Sequence, residues 1–88
     1  MKFKYQKYKI TWHDPTANSE WQTKKDLQEF TPEECVIEAY VYSKDKKIVR
    51  TFASFSINKG SKEITFADTN VIPRACIKTM RRIYEKLK

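Results

Sequence analysis

The 88 residues, 33% charged and 14% aromatic with one glycine and three prolines, describe one ordered domain spanning residues 1–88 rather than a disordered basic tail. A chain of that size leaves roughly a third or more of its unfolded-chain surface exposed, which works against a deep catalytic cleft. The net charge of +7 sits at the ends: Met1 to Trp12 and Val71 to Lys88 together carry +9, and the 58 residues between them carry −2.

Residues 2–12 alternate, with Phe3 and Tyr5 on one side and, after a change of phase at Gln6 and Lys7, Tyr8, Ile10 and Trp12 on the same side. A period of two predicts a strand, and the phase slip predicts a β-bulge. Aromatics would face the core and Lys2, Lys4, Lys7 and Lys9 the solvent. Residues 13–19, with Pro15, Asp14 and Asn18, predict a turn-rich segment that ends the strand. Residues 21–30 read as a long loop with one helical turn.

Thr31, Pro32, Glu33 and Glu34 have the form of a helix start. The β-branched and aromatic run from Cys35 to Tyr42 outweighs it and predicts a strand. A charged hairpin turn follows at residues 43–47, then an alternating strand from Ile48 to Ile57. Gly60 is placed in the next loop, where a positive φ would be used. A short strand over residues 63–67 is turned over by Asp68, Thr69 and Asn70, so the centre is a three-stranded meander. The last segment has two readings. Ile72, Cys76, Ile77, Met80, Ile83, Tyr84 and Leu87 fall near helical spacing, whereas Pro73, one helical turn and a closing strand also fit.

The basic ends carry the functional expectation. If the termini adjoin, Lys4, Lys7, Lys9, Arg74, Arg81 and Arg82 form one positive face suited to phosphates, with Tyr40 or Tyr42 available to stack on a base. The same lysines would also blunt an edge strand against aggregation. Lysine outnumbers arginine fourteen to four, which disfavours base-specific readout by guanidinium. His13 is the lone histidine and has no assignable nucleophile, and His13, Cys35 and Cys76 lack the paired spacings of a metal site, so neither catalysis nor a cofactor or metal is expected. The two cysteines read as reduced thiols. No apolar run approaches the roughly 20 residues of a membrane span, and a cytoplasmic location is expected.

The order Trp12, Asp14, Trp21, Cys35 and then Ile72-Pro73-Arg74-Ala75-Cys76-Ile77 resembles small proteins encoded by phages and prophages. That resemblance covers most of the chain and implies a phage-derived protein in a bacterial cytoplasm, without implying an activity. The turn before a closing strand also resembles the end of Sm-like small barrels.

The expected architecture is therefore mainly β: a small barrel or strongly bent antiparallel sheet of about five strands, with a helical turn near Pro73 and, on the helical reading, a C-terminal helix. The expected function is non-catalytic binding of nucleic acid or another phosphate-bearing ligand. The alternatives are a protein-interaction module, directed at a host protein or at a second copy as a homo-oligomer, and an oligomer that sequesters a small nucleotide signal.

Overall fold

Antiparallel pairing of the β-rich segments organises residues 3–84, which the computed structural model describes. The strands are β1 (Gln6–Asp14), β2 (Glu33–Lys44), β3 (Ile48–Ile57), β4 (Ile64–Pro73) and β5 (Ile77–Arg82), with a six-residue helix α1 (Lys24–Glu29) between β1 and β2. All five strands form one sheet in the order β4-β3-β2-β1-β5. The mainly β, five-stranded expectation is met, as is the helical turn after Pro73, a 3-10 turn over Arg74–Cys76.

The sheet is open: β4 and β5 are its two edges and are not hydrogen-bonded to each other. That rules out the closed-barrel alternative and leaves the bent sheet. Strong bending follows from connectivity, because the few residues from Pro73 to Ile77 must cross from one edge to the other, a span of at most about 15 Å. The bend brings Ile10 of β1, Val49 of β3 and Ile72 of β4 into one buried cluster, flanked by Ile37, Val41, Ile77 and Met80.

The final segment resolves as a strand. The free edge of β1 offers a full ladder of backbone partners, and Met80 lies opposite Ile10 with Arg82 opposite Tyr8. The helical spacing of the apolar residues therefore does not express itself over residues 77–82. The remainder of the expected C-terminal helix, residues 85–88, lies outside the described residues.

Three further expectations are corrected. The β-bulge at Gln6 and Lys7 is absent, since β1 pairs with β2 in unbroken register from Gln6 opposite Val41 to Asp14 opposite Glu33. The phase change has another cause: Phe3 and Tyr5 precede the strand and pack on the opposite face from Ile10. There they meet a second apolar layer, in which Phe52 is ringed by Phe66 at 4.6 Å, Tyr5 at 5.2 Å and Tyr40 at 5.4 Å. Adjacent Thr51 and Phe52 are consequently both buried, because both sheet faces are covered at that point.

Residues 68–70 do not turn the chain over, since β4 continues through them to Pro73. Instead Asp68 takes φ 54° and accepts a 2.6 Å hydrogen bond from the Ser54 hydroxyl, and the ladder skips Ala53 opposite Asp68. An aspartate tolerates that conformation and produces a local kink rather than a reversal. Gly60 does not use a positive φ, whereas Lys62 does, at 66°. The Asn58 side chain accepts from the amides of Gly60 and Ser61, so the left-handed residue falls at the end of that turn. Finally, the helical turn in residues 21–30 is capped by Thr23 and Asp26, each bonding the other's backbone amide.

Two predictions arise here. The Thr51 hydroxyl is buried and has no hydrogen-bond partner among the described residues. Replacing it with valine keeps the shape and removes an unsatisfied polar group, so urea denaturation should show Thr51→Val more stable by about 1 kcal/mol. In the β2–β3 hairpin, Asp45 accepts from the amides of Lys47 at 2.7 Å and Ile48 at 2.9 Å. Those bonds, Ile48 first, hold its carboxyl below the ordinary 3.8, with Arg50 and Arg74 adding to the effect. A depressed carboxylate contributes stability above its unfolded pKa and loses it as pH falls through the folded one. The stability difference between the native protein and Asp45→Ala should therefore be constant above pH 5 and shrink below 3.8.

Candidate nucleic-acid interface

The pairing of β1 with β5 decides whether the basic ends meet. Lys9 lies directly opposite Arg81 and Tyr8 opposite Arg82, and the Ile83 amide extends the ladder by donating to the Lys7 carbonyl at 2.8 Å. The first and last strands are thus neighbours, and their cations share one region of the sheet. Lys2, Lys86 and Lys88 lie outside the described residues. Among the described residues, Lys78 is drawn into a half-exposed ion pair with Glu34 at 3.2 Å, which offsets part of its charge. Lys9 is flanked on its other side by Glu38 of β2, which offsets part of its charge.

Around the start of β1 the surface opens into three clefts that share walls. One, lined by Phe3, Tyr5, Gln6, Lys7, Tyr40, Arg82 and Ile83, has a volume of about 290 Å³. Tyr5 and Gln6 also line the next, about 500 Å³, together with Lys4, Tyr8, Tyr42 and Lys44. Lys44 in turn belongs to a third, with Asp45, Lys46 and Arg74. Shared lining residues link the three clefts from Arg82 and Lys7 through Lys4 and Lys44 to Lys46 and Arg74, a tract that passes around the start of β1 from the Tyr40 face to the Tyr8 face.

Local structure holds these cations in place. Lys4 Nζ lies 5.4 Å from the Tyr5 ring centre, Lys7 Nζ 5.9 Å from that of Tyr40, and Lys44 Nζ 5.5 Å from that of Tyr8. Such contacts stabilise by about 0.5–1 kcal/mol each at exposed sites and restrict where the ammonium sits. Tyr42 is placed by a register shift between β2 and β3, where one extra residue separates the Val41 and Ser43 pairs. The bulge leaves Tyr42 50% exposed, with its ring stacked on Tyr5 at 5.7 Å.

The expected residues divide accordingly. Lys4, Lys7, Arg82, Tyr40 and Tyr42 come together around Tyr5 and Gln6, and Arg74 joins through the hairpin, its amide donating to the Lys47 carbonyl at 2.8 Å. Lys9 and Arg81 pair on the ladder but line none of these clefts. Tyr40 is committed to the aromatic layer, within 5.0 Å of Phe3 and 5.4 Å of Phe52, so Tyr42 is the ring with surface left for a ligand. Lys44 and Lys46 are additions. The lysines belong to the near-neutral middle of the sequence, and only the hairpin geometry carries them to the termini.

Other chemistry has less support. Cys35 and Cys76 are free thiols, and desolvation, then Asp14 and Glu33, push the Cys35 thiol above its ordinary value and keep it protonated. Among the described residues no group of three histidine, cysteine or carboxylate side chains converges as metal ligands. Nor does any helix of the described residues have the length and apolar character to cross a membrane. No family model, curated protein or solved structure matches this chain.

Proposed function

We propose that this chain is a non-catalytic binding module that holds nucleic acid, or another phosphate-bearing ligand, along the tract from Arg82 to Arg74. The observation that carries this reading is the β1–β5 pairing, which sets Lys7 beside Ile83 and Lys9 beside Arg81 and so merges two basic segments distant in sequence. A row of lysines with tyrosines between them neutralises phosphates through counterion release without reading sequence, and tyrosine rings stack on any base. In this reading the protein is phage-derived and works in a bacterial cytoplasm, as its resemblance implies.

Amide chemical-shift mapping tests it. Titration with a short single-stranded oligonucleotide at low salt should move the signals of residues 4–9, 40–46 and 81–83 together. Shifts confined to residues 15–32, or none, would refute the assignment.

A second reading is favoured by one observation. In the segment between β1 and β2, Trp21 is 102% exposed, Leu27 62% and Phe30 40%, and α1 buries none of its residues. Residues 13–34 also hold six acids against Lys24 and Lys25, a net −4 on a chain of +7. An acidic arm with uncovered apolar side chains suits a cationic protein surface, including one on a second copy. Sedimentation velocity over a concentration series would show self-association that Trp21→Ala with Leu27→Ala abolishes. A monomer at every concentration would exclude the second copy as that partner.

A further inference from the structure

We infer that the cleft on the far side of Tyr42 is a nucleobase site, so that the ligand is single-stranded nucleic acid with phosphates on Lys4 and Lys44 and one base held between β3 and β4; this rests on the phosphate-binding reading above. Tyr42 is the wall common to two clefts of opposite character. On one side lies the lysine-flanked cleft already described. On the other is a smaller cleft of about 270 Å³ whose apolar walls are Tyr42, Phe66 and Val71 over the buried Phe52, and whose polar side chains are Arg50 and Thr69, on the same face of the sheet as Phe52.

That composition is what a flat aromatic ligand with a hydrogen-bonding rim requires: apolar walls to cover its faces and a few polar groups to meet its edge. Phe66 lies 5.3 Å from Tyr42 at an interplanar angle of 70°, so the two rings form a corner rather than a sealed stack. Tyr42 keeps half of its surface exposed although its neighbour Phe52 is buried. Thr69, paired with Phe52 on that face, offers a hydroxyl that both donates to and accepts from the edge of a base. Arg50 is oriented by donating to the Ser43 hydroxyl at 3.3 Å. A base paired and stacked inside a duplex cannot enter such a corner, whereas an unpaired base can, with its phosphate carried across Tyr42 to the lysines.

Abasic and base-bearing oligomers separate this inference from the reading beneath it. The affinities of oligothymidylate and of an abasic oligomer with the same number of phosphates are measured at one low salt concentration. The thymidylate should bind about five- to a hundred-fold more tightly, the range expected for one stacked base. Tyr42→Leu and Thr69→Val should each remove most of that difference, and Tyr42→Phe should retain it. Equal affinity of the two oligomers for the native protein would overturn the base site and leave the phosphate reading standing. Binding of neither would overturn both. A difference that survives Tyr42→Leu would place the base elsewhere and overturn the assignment of this cleft.

Discussion

Phe52→Ala should abolish folding at ambient temperature or lower the stability by about 3–5 kcal/mol, as truncation of a large buried aromatic does. Phe52 is 1% exposed and sits at the centre of the second apolar layer, with rings of Phe66, Tyr5, Tyr40, Phe55 and Phe3 within 6.4 Å. The fully buried apolar side chains of the described residues are few, namely Ile10, Ala39, Val49, Phe52 and Ile72. A domain with that little core has a stability near the low end of about 5–15 kcal/mol, so a single such loss is a large fraction of the total. Phe55→Ala, at a position 40% exposed, should cost far less. Urea denaturation followed by circular dichroism measures both. A Phe52 variant within 1 kcal/mol of the native protein would mean that the layer built by Phe3 and Tyr5 is not packed against the sheet.

The second large effect concerns binding. Lys4→Gln with Lys44→Gln removes the two cations that flank the central cleft and leaves the Tyr5 and Tyr8 rings in place. Each phosphate contact on a single strand adds about 0.7 to the slope of log affinity against log salt. The double variant should therefore lower that slope by about 1.4 in magnitude and weaken binding most at low salt. Lys24→Gln with Lys25→Gln, in the exposed helix α1, provides the control and should change the slope little. Equal losses from both pairs would mean that net charge alone governs binding and that the tract has no positional role.

Much of this architecture could be read from local patterns. The strand over Cys35 to Tyr42 was legible because its β-branched and aromatic residues outweigh a proline-led helix start, and the hairpin at residues 43–47 because charged turn residues interrupt two alternating runs. Period-two reasoning failed where both faces of the sheet are covered. Phe3 and Tyr5 look like a slipped continuation of Tyr8 and Ile10 only if a strand has one buried face, and Thr51 beside Phe52 breaks alternation for the same reason. The last segment was ambiguous because Ile77, Met80 and Ile83 fit helical spacing while Ile77, Thr79, Arg81 and Ile83 also alternate with Lys78, Met80, Arg82 and Tyr84, and the unpaired edge of β1, a long-range partner, decides between them. At the site, the terminal lysines were legible as charge. Lys44, Lys46 and the corner between Tyr42 and Phe66 were not, since they depend on a register shift and on the approach of β4.

The central claim is that cations from β1 and the β5 end of the chain act together on a polyanion. Fluorescence anisotropy of a labelled single-stranded oligonucleotide, titrated with the native protein over a series of salt concentrations, tests it most directly. The account predicts binding at low salt with log affinity falling linearly against log salt, at a slope of about −2 to −4 for the three to six cations of the tract. Binding that is absent at low salt, or that holds constant as salt rises, would contradict it.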